Sequence, residues 1–74
     1  MEQELPRAEL LRRIRHALDT MDELPRAVFE QYRYRDLDYQ RIAAALGINI
    51  AEVERHMAAA MLHLLRCVNG NGGR

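Results

Sequence analysis

The side chains best suited to binding a metal lie in the last third of the chain. His63 and Cys67 are four residues apart, so a helix would present both to one ion. His56 lies two helical turns before His63, about 10 Å along the axis, which is too far to share that ion. Because two ligands do not make a structural zinc site, we predict no metal and no other cofactor. We interpret these residues as surface histidines beside a half-buried thiol.

Catalytic chemistry has no better support. The sequence shows no Ser-His-Asp or Cys-His arrangement and no glycine-rich phosphate loop. The acidic pairs Asp22/Glu23 and Asp36/Asp38 lie near predicted helix starts, where a carboxylate opposes the helix dipole. Capping explains these pairs better than acid–base catalysis does, so we predict that the chain is not an enzyme.

Residues 38–57 have the pattern of a helix-turn-helix. Asp38 is a suitable N-cap for a first helix, and Gly47 ends that helix because glycine adopts the left-handed conformation at little cost. Asn49 begins the second helix, with Glu52 at the spacing of a capping box. In this motif the second helix enters the DNA major groove.

Two further helices precede this motif. Pro6 suits the first turn of an amphipathic helix whose apolar stripe ends at Met21, and Pro25 suits the first turn of the next. We interpret the arginine-rich side of the first helix as solvated surface, with a partner or phosphate contact as the alternative. Val28, Phe29 and Tyr32 are predicted to face inward. Residues 33–36 are predicted to form a connection with Asp36 left-handed, and Leu37 to fill the core from the loop.

The last helix is predicted from Ile50 to Cys67 or Val68. Its predicted inward face consists of Ile50, Val53, Met57, Ala60, Met61, Leu64 and Val68. Its outer face consists of Glu52, Arg55, Ala59, Leu62 and Arg66, flanked by Ala51, His56 and His63.

The pattern predicts an all-α fold, a compact four-helix domain that contains a helix-turn-helix. We expect the domain to span residues 1–68 and a flexible tail to span 69–74. The single cysteine fits a reducing compartment, and no apolar run could span a bilayer, so we expect a cytoplasmic chain without a membrane partner. The 11 basic residues, all arginine, balance 11 acidic residues. DNA-binding domains are usually basic, so a neutral domain must cluster its arginines or depend on a larger assembly.

The segment LPRAVFEQYRYRDLDYQRIAAALGINIAEVERHM resembles region 4 of sigma-70-type factors, specifically the extracytoplasmic-function group. The resemblance covers about Leu10 to Val68. Its matching positions are Leu24-Pro25, Val28-Phe29, Leu37-Asp38-Tyr39, Ile42-Ala43, Leu46-Gly47-Ile48-Asn49 and Val53. Asp36 and Asp38 replace the family's usual Gly and Ser. The pattern V-E-R-H-M-A-x-A-x-x-H is similar to the variant found in sigma factors that control ferric-siderophore uptake.

The resemblance implies a transcription-initiation domain that recognises the promoter −35 element and contacts the RNA polymerase core. Arg55 would bond a guanine edge, Ala51 or Ala59 would touch a thymine methyl, and Gln40 and Arg41 would fix the register on phosphates. The DNA-binding residues that it implies are Gln40, Arg41, Ala51, Glu52, Arg55, His56 and Ala59. Such factors also carry a region 2 domain, which 74 residues do not hold. An excised domain and a stand-alone region 4-like protein both remain open.

A protein-interaction module with little intrinsic DNA binding is the alternative function. Ala58, Ala59, Leu62 and Leu65 make the outer face of the last helix apolar, and an exposed apolar strip marks partner surfaces. The partner would be a second copy in a homodimer, an anti-sigma factor or the polymerase flap. Equally, Leu62 and Leu65 would pack against the first helix.

Overall fold

A computed structural model describes residues 5–70 and consists of four helices. α1 spans Arg7–Thr20, α2 Glu23–Tyr34, α3 Tyr39–Leu46 and α4 Ile50–Val68. Between residues 5 and 70 the chain forms no β-strand. The prediction of an all-α four-helix domain is therefore confirmed. The boundary at residue 68 and the flexible tail stay predictions, and residues 71–74 of that tail lie outside the described part.

α4 is the helix on which the other three pack. Val28 of α2, Ile42 of α3 and Val53 of α4 are fully buried where these helices meet. Leu37 packs against this core from the loop before α3, as predicted. The remaining buried members of the core are Met21, Phe29, Ala43, Met57 and Ala60. The core thus joins both helices of the helix-turn-helix to α2, so their relative position depends on apolar packing.

Pro6 lies one residue before its predicted first-turn position, whereas Pro25 lies in the first turn of α2 as predicted. Pro6 is the N-cap of α1, outside its first turn, and Pro25 is the third residue of α2, which begins at Glu23. The first four backbone N–H groups of a helix have no intrahelical partner, so proline is tolerated anywhere in that turn. For this reason a proline marks the start of a helix without fixing its first residue.

The end of α2 corrects the predicted connection. Arg33 and Tyr34 are helical, and only Arg35 and Asp36 leave the helix. Asp36 has a φ of 59°, the left-handed conformation that was predicted for it. This reversal ends α2, because no proline or glycine between Pro25 and Asp36 stops the helix earlier.

Three side chains predicted to face inward are about half exposed. The exposed fractions are 50% for Tyr32, 43% for Ile50 and 52% for Met61. Leu62 and Leu65, for which packing against α1 was the alternative, are 48% and 56% exposed, so each keeps about half of its surface open to solvent. The helices α1 and α2 cover only one side of α4, and its apolar residues continue beyond that cover.

Hydrogen bonds join α1 to the last turns of α4. The guanidinium of Arg13 donates to the Val68 carbonyl at 2.6 Å and to Glu9 at 2.9 Å. Arg12 also donates to Glu9. The hydrogen bonds from Arg13 and Arg12 lower the pKa of Glu9 below its ordinary value. The interpretation of the basic side of α1 as solvated surface therefore fails for Arg13, which is half-buried and satisfies a carbonyl that the end of α4 leaves unpaired.

Candidate nucleic-acid interface

The start of α3 is fixed by a side-chain cap. Asp38 accepts a hydrogen bond from the backbone N–H of Arg41 at 2.8 Å, which confirms its predicted role as N-cap. Gln40 and Arg41 lie in the first turn of α3, and both are exposed. Both side chains lie at the start of α3, where the Asp38 carboxylate already accepts the N–H of Arg41.

The turn between α3 and α4 is closed by Gly47. Its φ is 71°, so it is left-handed as predicted. The N–H of Ile48 bonds the Ala43 carbonyl at 3.0 Å, the six-to-one hydrogen bond of a Schellman motif. The side chains of Leu46 and Ile48, on either side of the glycine, pack against the core. The turn thus fixes where α4 begins relative to α3.

α4 begins with the predicted capping box. The Asn49 side chain accepts from the Glu52 N–H at 2.8 Å, and the Glu52 carboxylate accepts from the Asn49 N–H at 3.0 Å. Two of the four unpaired N–H groups at this helix start are thereby satisfied by side chains. The first turn of α4, from which a recognition helix contacts bases, is therefore held in place.

The exposed side of α4 contains most of the α4 residues that were predicted to contact DNA. Ala51, Arg55 and Ala59 are exposed, whereas His56 is half-buried and lies at the edge of this side. The Arg55 side chain is 68% exposed, and its guanidinium lies 4.0 Å from the second carboxylate oxygen of Glu52. Glu52 is half-buried, and the capping box engages its carboxylate. The α4 residues of the predicted set thus lie along the first three turns of α4, with Glu52 between the cap and Arg55.

A second surface was not predicted from the sequence, and we call it the apolar groove. It is a cleft of about 720 Å³ between α1, α2, α4 and the start of α3. Its lining residues are Leu11, Ile14, Phe29, Tyr32, Arg33, Tyr34, Tyr39, Met57, Met61, Leu64, Leu65 and Val68. The half-exposed Tyr32 and Met61 described above line it. An excess of apolar residues beside the inward stripes of α1 and α4 was the sequence signal that would have indicated it.

Aromatic contacts hold the α2 side of the apolar groove. Tyr32 and Tyr39 meet edge to face with ring centroids 5.8 Å apart, and Phe29 and Tyr34 do so at 6.3 Å. Such pairs are worth about 0.5–1.5 kcal/mol beyond the area they bury. The tyrosines are therefore ordered by neighbouring rings while part of their surface stays exposed.

The pair considered for metal binding is engaged within the protein. The Nε2 atom of His63 lies 3.7 Å from the Cys67 sulfur and 2.9 Å from the Thr20 hydroxyl on α1. Residues 5–70 contain no group of three or more His, Cys, Asp and Glu side chains able to hold an ion. His63 thus contributes to the contact between α1 and α4.

No helix among residues 5–70 combines the length and hydropathy that crossing a bilayer requires.

Comparison with known proteins gives one family match. The model described as "Sigma-70, region 4" matches residues 11–64, which run from the second turn of α1 to near the end of α4. Neither a curated protein nor a solved structure shows significant similarity to the chain. The matched span contains the whole helix-turn-helix and most of the apolar groove.

Proposed function

The chain belongs to the sigma-70 region 4 family, and from this membership we propose that it recognises the promoter −35 element and contacts the RNA polymerase core. Members of this family are non-enzymatic transcription-factor domains that generally contact promoter DNA and RNA polymerase. The observation that carries the proposal is the capped first turn of α4 with Arg55 exposed beside it. A recognition helix reads base edges from this end.

In the proposed complex, α4 lies in the major groove. Arg55 donates two hydrogen bonds to a guanine edge, while Ala51 or Ala59 contacts a thymine methyl group. His56 lies at the edge of this contact. Gln40 and Arg41, exposed at the start of α3, bind phosphates and set the register. The exposure of these side chains supports the assignment, and Glu52 takes part through its position beside Arg55.

The apolar groove is the proposed polymerase contact. Leu11, Met61 and Leu65 are each more than half exposed in it, although they are the kind of side chain that folding usually buries. A concave apolar surface with exposed aromatic rings suits an amphipathic helix of a partner. The groove is largely separate from the exposed α4 side that would face DNA, so both contacts can form together.

The narrower assignment within the family is also a proposal. The pattern V-E-R-H-M-A-x-A-x-x-H from Val53 to His63 supports the extracytoplasmic-function group and its ferric-siderophore-uptake variant. A chain with this role works in the cytoplasm, where promoter DNA and the polymerase are found.

A protein-interaction module with weak DNA binding is the second candidate. Leu62 and Leu65 on α4 are both about half exposed, which favours a partner surface. An anti-sigma factor or a second copy would then replace DNA as the principal partner.

Titration into DNA tests the first candidate. We expect the chain to enrich specific duplexes from a randomised library, with log K falling as log salt rises. Arg55→Ala is expected to weaken binding to an enriched duplex by about 1–3 kcal/mol. Arg15→Ala, which removes an exposed arginine from α1, is the control and should have little effect. If no duplex is enriched and the chain sediments as a dimer, the second candidate replaces the first.

A matched pair of leucines tests the polymerase contact. Leu11 lines the apolar groove, whereas Leu24 is similarly exposed at 41% and lies outside it. Leu11→Glu places a charge in the groove and should abolish most binding to the polymerase core, while Leu24→Glu should leave it intact. Equal binding by both variants would show that the polymerase does not use the groove.

A further inference from the structure

The carboxylate of Glu52 joins the start of α4 to the side chain of Arg55. One oxygen accepts from the Asn49 N–H at 3.0 Å, and the other lies 4.0 Å from the Arg55 guanidinium. The Asn49 side chain in turn holds the Glu52 N–H at 2.8 Å. The acid is therefore fixed at both its backbone and its side chain before it meets the arginine.

Arg55 has no second acidic neighbour within ion-pair distance among residues 5–70. Its side chain is 68% exposed, so the guanidinium keeps free N–H groups for another acceptor. Exposed ion pairs on a helix add little to stability. A contribution to stability therefore does not explain why the two residues are paired. Their position in the first two turns of α4, where a recognition helix contacts bases, points to a role in DNA recognition.

We propose that Glu52 is a positioning residue, which holds Arg55 for a base edge and keeps it from phosphates. This role rests on the proposed function of α4. A lone arginine at a helix start binds any phosphate within reach, and such contacts carry no sequence information. Beside a fixed carboxylate the arginine is locally neutralised, so its attraction to the phosphate backbone is weaker. A guanine edge still offers two acceptors to the free N–H groups of Arg55.

The Glu52 carboxylate would also affect the choice between DNA sequences. Glu52 repels phosphates that approach the start of α4, so binding to unrelated sequences is reduced more than binding to the correct base. A domain of zero net charge then gains discrimination at the expense of overall affinity.

Glu52→Gln separates this role from capping, because glutamine also serves at the third position of a capping box. The full chain is titrated with a library-enriched duplex and with a random duplex of equal length. We expect the affinity for the random duplex to rise. The ratio of specific to random affinity should fall by about two- to fivefold, which corresponds to the energy of an exposed ion pair. The salt dependence of random binding should steepen by about one phosphate contact. A Tm of the Glu52→Gln variant equal to that of the wild type would show that the capping box is intact.

Two comparisons make the result specific to Arg55. Glu54→Gln removes an equal charge from the exposed surface of α4 and should raise both affinities alike, leaving the ratio unchanged. In an Arg55→Ala background, Glu52→Gln should no longer change the ratio. If Glu52→Gln lowers the ratio of specific to random affinity as much in the Arg55→Ala background, the positioning role is wrong. The same holds if Glu54→Gln lowers the ratio as much as Glu52→Gln does. If the wild-type chain enriches no duplex, the proposed function fails first; if it does and Glu52→Gln keeps the ratio, only the positioning role fails.

Discussion

Replacing Gly47 with alanine isolates the energy that the left-handed turn contributes to the helix-turn-helix. The φ of Gly47 is 71°, and a Cβ atom added there meets no other atom within 4 Å. Steric clash therefore adds nothing, and the whole cost is conformational. The left-handed conformation costs an L-residue about 1–2 kcal/mol. Alanine recovers about 0.4–1 kcal/mol of this by restricting the unfolded chain.

The expected net loss for Gly47→Ala is about 1 kcal/mol, which lowers Tm by about 4–8 °C in a domain of this size. Gly47→Asn is the matched control, since asparagine tolerates the left-handed conformation better and the added side chain has open space. It should lose clearly less stability than the alanine variant.

Thermal and urea unfolding followed by circular dichroism measure both variants. An alanine variant as stable as the wild type would mean that the turn does not depend on a left-handed residue. Equal destabilisation by alanine and asparagine would refute the conformational argument. Because Gly47 itself offers no side chain to DNA, any loss of DNA affinity should follow the fraction of folded protein.

Substitutions at Asp36, Arg13 and Glu9 test other contacts. Asp36→Gly should be more stable than Asp36→Ala by about 1 kcal/mol in urea unfolding, because the φ of 59° strains alanine. Arg13→Ala should cost about 1–2 kcal/mol by freeing the Val68 carbonyl, whereas Arg12→Ala, which removes only an exposed pair, should cost less. Glu9 has a lowered pKa, so its pairs stabilise the fold above pH 4.5 and are lost as pH falls through the folded-state pKa. The Tm difference between wild type and Glu9→Gln should therefore be present at pH 7 and vanish in acid.

The features that sequence predicted well depend on residues close in the chain. The caps at Asp38 and Asn49, the left-handed Gly47 and the left-handed Asp36 were all confirmed. Each rests on a backbone preference or on a hydrogen bond across at most three residues. Such interactions form in nearly the same way wherever the segment lies in the fold, so the local sequence is sufficient to predict them.

The features that sequence missed depend on how the helices meet. From the sequence alone Arg13 is interpreted as a solvated residue. In the structure α1 crosses the end of α4, and the Arg13 guanidinium lies 2.6 Å from the Val68 carbonyl. Met61 follows the inward period of α4, yet the neighbouring helices leave 52% of it exposed. The apolar groove results from this incomplete cover, and the 3.6-residue period of one helix contains no information about which side a neighbour leaves open.

The neutral charge of the domain and its apolar groove have a common explanation under the proposed function. With 11 basic and 11 acidic residues, the chain lacks the general phosphate attraction from which most DNA affinity derives. A partner held in the groove changes this balance, because DNA near a bound polymerase meets α4 at an effective concentration in the mM range. Weak DNA affinity is then sufficient for occupancy, and a low general attraction improves the choice between sequences. On this reasoning Leu11→Glu should reduce promoter occupancy in the presence of polymerase while leaving the affinity of the isolated chain for DNA unchanged. A loss of both would mean that the groove and the reading side of α4 are not separate surfaces.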